Sequence, residues 1–400
     1  MFYLSKFKKN SRLTYTILFL VITGFAFSFI VYQYQKLSTQ NNKILYLAQA
    51  ESSLLTENEA MDEKIKSLVS EDQYIKNQVQ QEEIKHIHDA YKRTVITYES
   101  LLKLRDTGGN TDKLDDLIAK SLSYLSNKNY ASAEAVLTEI DAGIKNENEA
   151  LAKKATEFII PKSVAINNVP PASGYQRQQV STEHGNFLID IVSADLGSTR
   201  VIIDTASDRN CADNCPVLPL ADYVSRSGAF AGINGSYFCP ASYPSCNGKT
   251  NSFDTLLMNK NKVYFNSDNN VYSTVPVAVF GSGWARFMGR SLDWGRDTGV
   301  DGVIANQPLL LSGGSIAFGG DGDPKKGSKG SRSFIGNKGN TVYIGVTHNA
   351  TVAENAYALK ALGLDNALNL DSGGSIALWS GGYKAGPGRN IPNAILFVRK

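Results

Sequence analysis

Apolar positions along the chain fall into three regimes. Residues 13–32, LTYTILFLVITGFAFSFIVY, carry no charge. About twenty such residues, at a helical rise of about 1.5 Å each, match a hydrocarbon core about 30 Å thick. The stretch predicts a transmembrane anchor. Lys6, Lys8, Lys9 and Arg12 precede it, which assigns 1–12 as a basic cytoplasmic tail and the rest of the chain as extracytoplasmic. A cleaved signal peptide is the rival, but the following VYQYQKLSTQ is bulky where a small-x-small cleavage site belongs.

The second regime, 40–158, is charged and helical in period. Leu47, Leu54, Met61, Leu68 and Ile75 recur every seventh residue, with Ile65 and Val79 on the alternate seam position. Glu51, Asn58 and Asp72 interrupt that alternate position, so the coiled-coil pattern is weak and pairing with a second copy stays open. DTGGN at 106–110 breaks the helix. Leu114, Leu117, Ile118, Leu122 and Leu125 continue a helical stripe, followed by Ala135, Val136, Ile140 and Ile144. The expectation is a helical stalk or small bundle, free of visible chemistry. His86 and His88, two apart, do not share a helical face.

IIPKSVAINNVPPASG, 159–174, reads as a linker. From 175 to 400 the pattern becomes glycine-rich with β-branched runs, as in FLIDIVSADL (187–196), RVIIDTA (200–206), TVYIGVT (341–347) and NAILFV (393–398). One helix is expected at 351–363, with Thr351 and Glu354 as a capping box and Gly363 as its stop. The fold class expected for the chain is α+β: a mixed β-sheet domain with a few helices, preceded by the anchor and the helical region.

Charge changes little. With 41 Lys and Arg against 38 Asp and Glu, the net charge is +3, which gives no reason to expect a nucleic-acid partner. Four cysteines, Cys211, Cys215, Cys239 and Cys246, cluster in the third regime. In an exported domain an even set suggests disulfides. Pairing Cys211 with Cys215 and Cys239 with Cys246 closes two small loops; the other pairings and a zinc site are the alternatives.

Polar residues near predicted strand ends carry the candidate chemistry. NLDSGGS, 369–375, superficially suggests a serine-protease nucleophile at Ser372. The third regime holds only His184 and His348, neither in the setting of such an enzyme, and G-x-S-x-G is absent here. Asp371 is the stronger candidate, a carboxylate beside flexible glycines that can act as acid or base or meet a sugar. An Asx-turn is its plain reading. AGINGSYF brings Asn234 and Gly235 after an apolar run. KGSRSFIG brings Arg332, whose planar fork suits a phosphate, against a surface ion pair as the alternative. GVTHNATVAEN brings His348 to a strand end. Asp321 and Asp323 in GGDGDPKKG offer carboxylates to a divalent cation such as calcium, without the EF-hand layout; a solvated turn is the plainer reading.

Taken together, AGINGSYF, GSRSFIG, TVAENAYALKALG, ALNLDSGGSIALW and IPNAILFV appear in the order seen in the phosphodiester glycosidase family, and 180–400 resembles it. That family resembles the catalytic domain of N-acetylglucosamine-1-phosphodiester alpha-N-acetylglucosaminidase, the uncovering enzyme, and its bacterial members are exopolysaccharide-related. The resemblance implies hydrolysis of a sugar-1-phosphodiester in an extracytoplasmic, phosphorylated glycan. It implies catalytic roles for Asp371, His348 and Arg332, and ligand contacts from Asn234, Gly235, Asn369, Gly373, Gly374 and Ser375. Ser236 and Ser372 stand where the family has glycine, and their Cβ atoms could narrow the pocket or alter the backbone. A noncatalytic glycan-binding envelope protein and a helical scaffold are the alternatives those departures leave.

Overall fold

The computed structural model describes residues 7–156, 159–267 and 273–400. The first half of the predicted basic tail, 1–6, and the end of the helical region, 157–158, lie outside them. The chain separates into two compact units, Met1–His86 and Ile87–Lys400.

In the first unit, helix α1 (Phe7–Ser70) takes in both the apolar stretch and the heptads. From Tyr15 it is long and apolar enough to cross a membrane, with a mean hydropathy of 2.1 over its apolar window. Leu47, Leu54, Met61, Leu68 and Ile75 are all exposed. Helix α2 (Asp72–Asp106) follows after a break at Glu71. The break has a local cause. The Ser70 hydroxyl bonds back to the Ser67 carbonyl, and the Glu71 N–H bonds to Leu68 three residues earlier rather than four.

In the second unit, the last turns of α2 pack with α3 (Asp112–Ser126) and α4 (Tyr130–Thr156). Leu101, Leu104, Ile118, Leu137 and Ile140 form their shared core. Helix α2 stops where Gly108 takes a left-handed φ of 83° and the Gly109 N–H returns to the Leu104 carbonyl. Such a turn strongly favours glycine. The proline-bearing run at 159–174 joins the sheet region by a parallel bridge from Ile166 to Gln179.

Three antiparallel sheets follow among the described residues. The first orders its strands Gly174–Thr182, Gly185–Asp195, Thr341–Ala350, Gly330–Lys338, Asn366–Asn369, Leu309–Ser312 and Ser315–Ile316. The second runs Tyr383–Ala385, Leu378–Ser380, Ala231–Asn234, Asn393–Arg399 and Thr199–Thr205. The third runs Tyr264–Phe265, Leu257–Met258, Gly302–Ala305, Val277–Gly281 and Trp284–Met288.

Period-two alternation explains the layers. Val201, Ile203, Ile395 and Phe397 enter a central core shared by all three sheets, together with Val192, Ile344 and Phe280. Their neighbours Ile202, Ala394 and Leu396 turn outward to cover α5 (Leu220–Ser227). Likewise Ile189, Ile191 and Phe334 face α6 (Val352–Ala361). Helix α6 carries the expected capping box, with Thr351 accepting from the Glu354 N–H and Glu354 reaching back to the Thr351 N–H. Disulfides join Cys211 to Cys215 and Cys239 to Cys246.

Candidate active site

The loop carrying Asp371 leaves the strand Asn366–Asn369 and crosses from the first sheet to the second. Its Leu370 N–H bonds to Ser333 O at 3.0 Å and its Asp371 N–H to Gly235 O at 3.0 Å. Asn234, fully buried, clamps the crossing. Its Nδ2 donates to Asp371 O at 2.7 Å, while its Oδ1 accepts from the Ser333 hydroxyl at 2.9 Å and from the Ala377 N–H at 3.2 Å. Asn369, also fully buried, donates to the Tyr237 hydroxyl oxygen at 2.7 Å and to the Gln307 carbonyl at 3.0 Å. Both amides therefore hold backbone and neighbouring side chains. A Cβ on Gly235 would collide with Asn393 Oδ1, so that glycine is needed for the close approach of two strands.

Asp371 is half-buried, and its Oδ1 accepts from the Ser372 N–H at 2.9 Å. Loss of water around the carboxylate pushes its pKa up to about 6, and the nearby Asp106 charge pushes the same way. Ser375, the Ser372 N–H and the positive charge of Arg389 oppose that rise. Gly373 has a left-handed φ of 64°. A Cβ on Gly374 would collide with the Arg389 guanidinium and with Asp106 Oδ1. The Arg389 N–H bonds to Gly374 O at 2.7 Å, so this arginine rides on the same loop as Asp371.

The two serines that replace glycines are accommodated without backbone strain. Ser372 is extended at φ −132°, and Ser236 is not among the residues with positive φ. The Ser236 hydroxyl accepts from Asn393 Nδ2 at 3.0 Å, and the Ser372 hydroxyl donates to the Leu370 carbonyl at 3.3 Å. Ser372 thus serves its own turn.

His348 lies within a hydrogen-bonded chain. Its Nε2 lies 2.7 Å from Asp190 Oδ2 and its Nδ1 3.2 Å from Ser331 Oγ. With the proton on Nε2 directed at Asp190, Nδ1 accepts from the Ser331 hydroxyl. The Tyr175 hydroxyl donates to Asp190 Oδ1 at 2.6 Å. Burial alone would raise the Asp190 pKa, but the bonds from His348 and Tyr175 hold it below the ordinary carboxylate value. Ser331 sits two residues from Ser333 on the same face of the strand Gly330–Lys338, and Ser333 anchors the Asp371 loop. The sequence marks Asp190 only as the one acid inside the apolar run FLIDIV.

Arg332 has its guanidinium engaged by backbone carbonyls, close enough to Tyr237 for the two to interact electrostatically. It is 9% exposed, its Nε donates to Ala350 O at 3.0 Å, and its Nη2 reaches Lys325 O at 3.1 Å and also Ser328 O. The guanidinium therefore ties the loop before its strand to the end of the strand Thr341–Ala350. Arg389 and Asp106, from the end of α2, lie close enough to Asp371 to act on its charge, and Tyr243 from the Cys239–Cys246 loop joins them through its bond to Asp106. These three had no motif around them in the sequence. The carboxylates of the acidic-glycine loop are engaged within it. Asp321 pairs with Lys326, and Asp323 Oδ1 caps the Lys325 N–H at 2.8 Å. Among the described residues no group of three or more His, Cys, Asp or Glu side chains gathers for a metal. A cavity of about 320 Å3 opens beside this loop, lined by Phe318, Asp321, Asp323, Lys326, Thr351 and Ala353; neither Asp371 nor His348 lines it.

The sequence model of a family described as phosphodiester glycosidase matches residues 227–398, the segment holding Asn234, Tyr243, His348, Asp371 and Arg389. The chain is distantly related to the phosphodiester glycosidase family. Among solved structures, a hypothetical protein from Synechocystis is similar at 15% identity and a TM-score of 0.39, over 56% of this chain and 62% of that one. The chain thus spans less than two thirds of that protein's length. The catalytic domain of zebrafish N-acetylglucosamine-1-phosphodiester alpha-N-acetylglucosaminidase, auto-inhibited by its pro-peptide, is similar at 15% identity and a TM-score of 0.45, over 60% of this chain and 87% of that one. No curated protein sequence matches the chain.

Proposed function

We propose that this protein hydrolyses the glycosidic bond of a sugar-1-phosphodiester in an extracytoplasmic glycan, with Asp371 as the central carboxylate. Water adds to the anomeric carbon, the bond from that carbon to the phosphate oxygen breaks, and a phosphate monoester leaves as an anion. A phosphate leaves readily, so the main demand is stabilisation of the cationic sugar carbon and deprotonation of water. The observation that carries the reading is Asp371 itself. It lies in the family-matched segment, it is fixed by Asn234 and Gly235, and its pKa of about 6 lets it be charged at neutral pH and still accept a proton.

Other residues follow from their contacts. Arg389 is the arginine that supports the leaving phosphate, and Arg332, engaged by backbone carbonyls, holds loops. His348, oriented by Asp190, relays a proton through Ser331. Asn234, Asn369 and Gly235 are positioning residues, while Gly373, Gly374 and Ser375 shape the loop under the sugar. The serines at 236 and 372 leave the loop backbone unstrained. Helix α1 is read as the membrane anchor, with the N-terminus cytoplasmic, and its exposed heptad seam as the surface on which a second copy pairs.

The test uses the full chain in detergent with a panel of sugar-1-phosphodiesters, following free sugar by chromatography. Release by the wild type and none by Asp371→Asn supports the proposal. Equal release by both removes Asp371 from its role. Saturable binding of the panel without release by either would instead favour the glycan-binding reading.

A further inference from the structure

The end of α2 reaches the candidate site although the family match begins only at residue 227. Asp106 is the last residue of α2. Its Oδ2 accepts from the Tyr243 hydroxyl at 2.7 Å and from Arg389 Nη2. Three features give the contact a built character. The Arg389 backbone is tied to Gly374 of the Asp371 loop, and the missing Cβ of Gly374 leaves the space in which guanidinium and carboxylate meet. Tyr243 is presented by the loop that the Cys239–Cys246 disulfide closes. Two turns earlier on α2, Glu99 Oε1 accepts the Ser245 N–H of that same loop at 2.7 Å. Arg389 and Asp106 side chains are 21% and 29% exposed, so solvent reaches the pair.

A guanidinium and a phenol hydroxyl converging on one carboxylate oxygen are the donors an anionic phosphate oxygen would use. We propose that Arg389 and Tyr243 form the subsite for the ligand's phosphate, and that Asp106 occupies it as an internal ligand which the phosphate displaces. Phosphate binding is then coupled to release of the end of α2. The hinge is already in the chain: Gly108, with its left-handed φ, follows two residues later. The inference rests on the reading of the site as one for phosphate-bearing sugars. A fixed docking ion pair makes the opposite prediction, because removing Asp106 would then leave Arg389 poorly placed.

The experiment measures binding of inorganic phosphate and of glucose 1-phosphate to the full chain by calorimetry. Asp106→Asn should tighten both by about tenfold, the scale of one charge-assisted contact no longer competed for. Arg389→Gln added to Asp106→Asn should abolish the gain. Unchanged or weaker binding in Asp106→Asn overturns the inference. A second readout needs no variant. In the wild type, amide exchange across 99–111 should rise on saturation with phosphate, and unchanged or slower exchange there counts against displacement. Failure of the hydrolysis reading is separable, since these probes report the subsite whether or not any phosphodiester is cleaved.

Discussion

Asp371 joins two properties that pull against each other. Loss of water disfavours its charge, yet Ser375, the Ser372 N–H and Arg389 support that charge. Its pKa of about 6, above the ordinary 3.8, has a signed consequence for stability. Between these values the folded chain holds a proton that the unfolded chain has lost, so stability falls as pH rises through that window. Asp371→Asn should remove this slope, and denaturant titrations at pH 4 and pH 7 compare the two. For turnover the sign is reversed. A carboxylate acting as base or nucleophile must be ionised, so kcat/KM should climb with pH and level off above about 6. A rate that instead falls through the same pH would make Asp371 an acid. At the relay, Asp190→Asn should slow turnover by about 100-fold with little change in KM, because His348 loses its orienting charge. Steady-state kinetics would show a KM effect alone if Asp190 served only to shape the pocket.

Elements differ in how much of them the sequence exposes. Helix α6 was legible because its signals are local: Thr351 and Glu354 cap it, and Gly363 follows it. The long buried strands were legible through β-branched runs. The strand Gly330–Lys338 was not, because GSRSF places three polar side chains at its start, and its buried Ser333 is satisfied by Asn234, distant in sequence, while Arg332 is satisfied by backbone carbonyls of Ala350, Lys325 and Ser328. The site divides the same way. Asp371 and His348 stood out as polar residues at the ends of predictable strands. Arg389, Tyr243 and Asp106 did not, since a 283-residue separation between Asp106 and Arg389 leaves no local pattern. The disulfide that presents Tyr243 gives an element-scale prediction. Cys246→Ala together with Cys239→Ala should cost about 2 kcal/mol, the loop-closure scale for a short loop, and weaken phosphate-bearing ligands more than neutral sugars. Equal loss for both ligand classes in equilibrium binding would separate the Cys239–Cys246 loop from phosphate recognition. Gly374→Ala should retain the far-UV circular dichroism of the wild type and lose most turnover, because its Cβ lands on the Arg389–Asp106 pair.

For the molecule as a whole, helical and sheet segments share the unit Ile87–Lys400, and residues 87–156 reach Arg389 and Tyr243 through Asp106. The N-terminal helix, with its uncharged stretch 13–32, should hold the chain in the membrane fraction. Removal of residues 1–38 should move the protein to the soluble fraction, and persistence in the pellet after a carbonate wash would point to a second membrane contact. Cleavage of a sugar from phosphate through Asp371 is measured as free-sugar release from sugar-1-phosphodiesters by the wild type beside Asp371→Asn. Release by the wild type should be at least about 100-fold faster than by the variant. Equal release by the two proteins would remove Asp371 from the reaction.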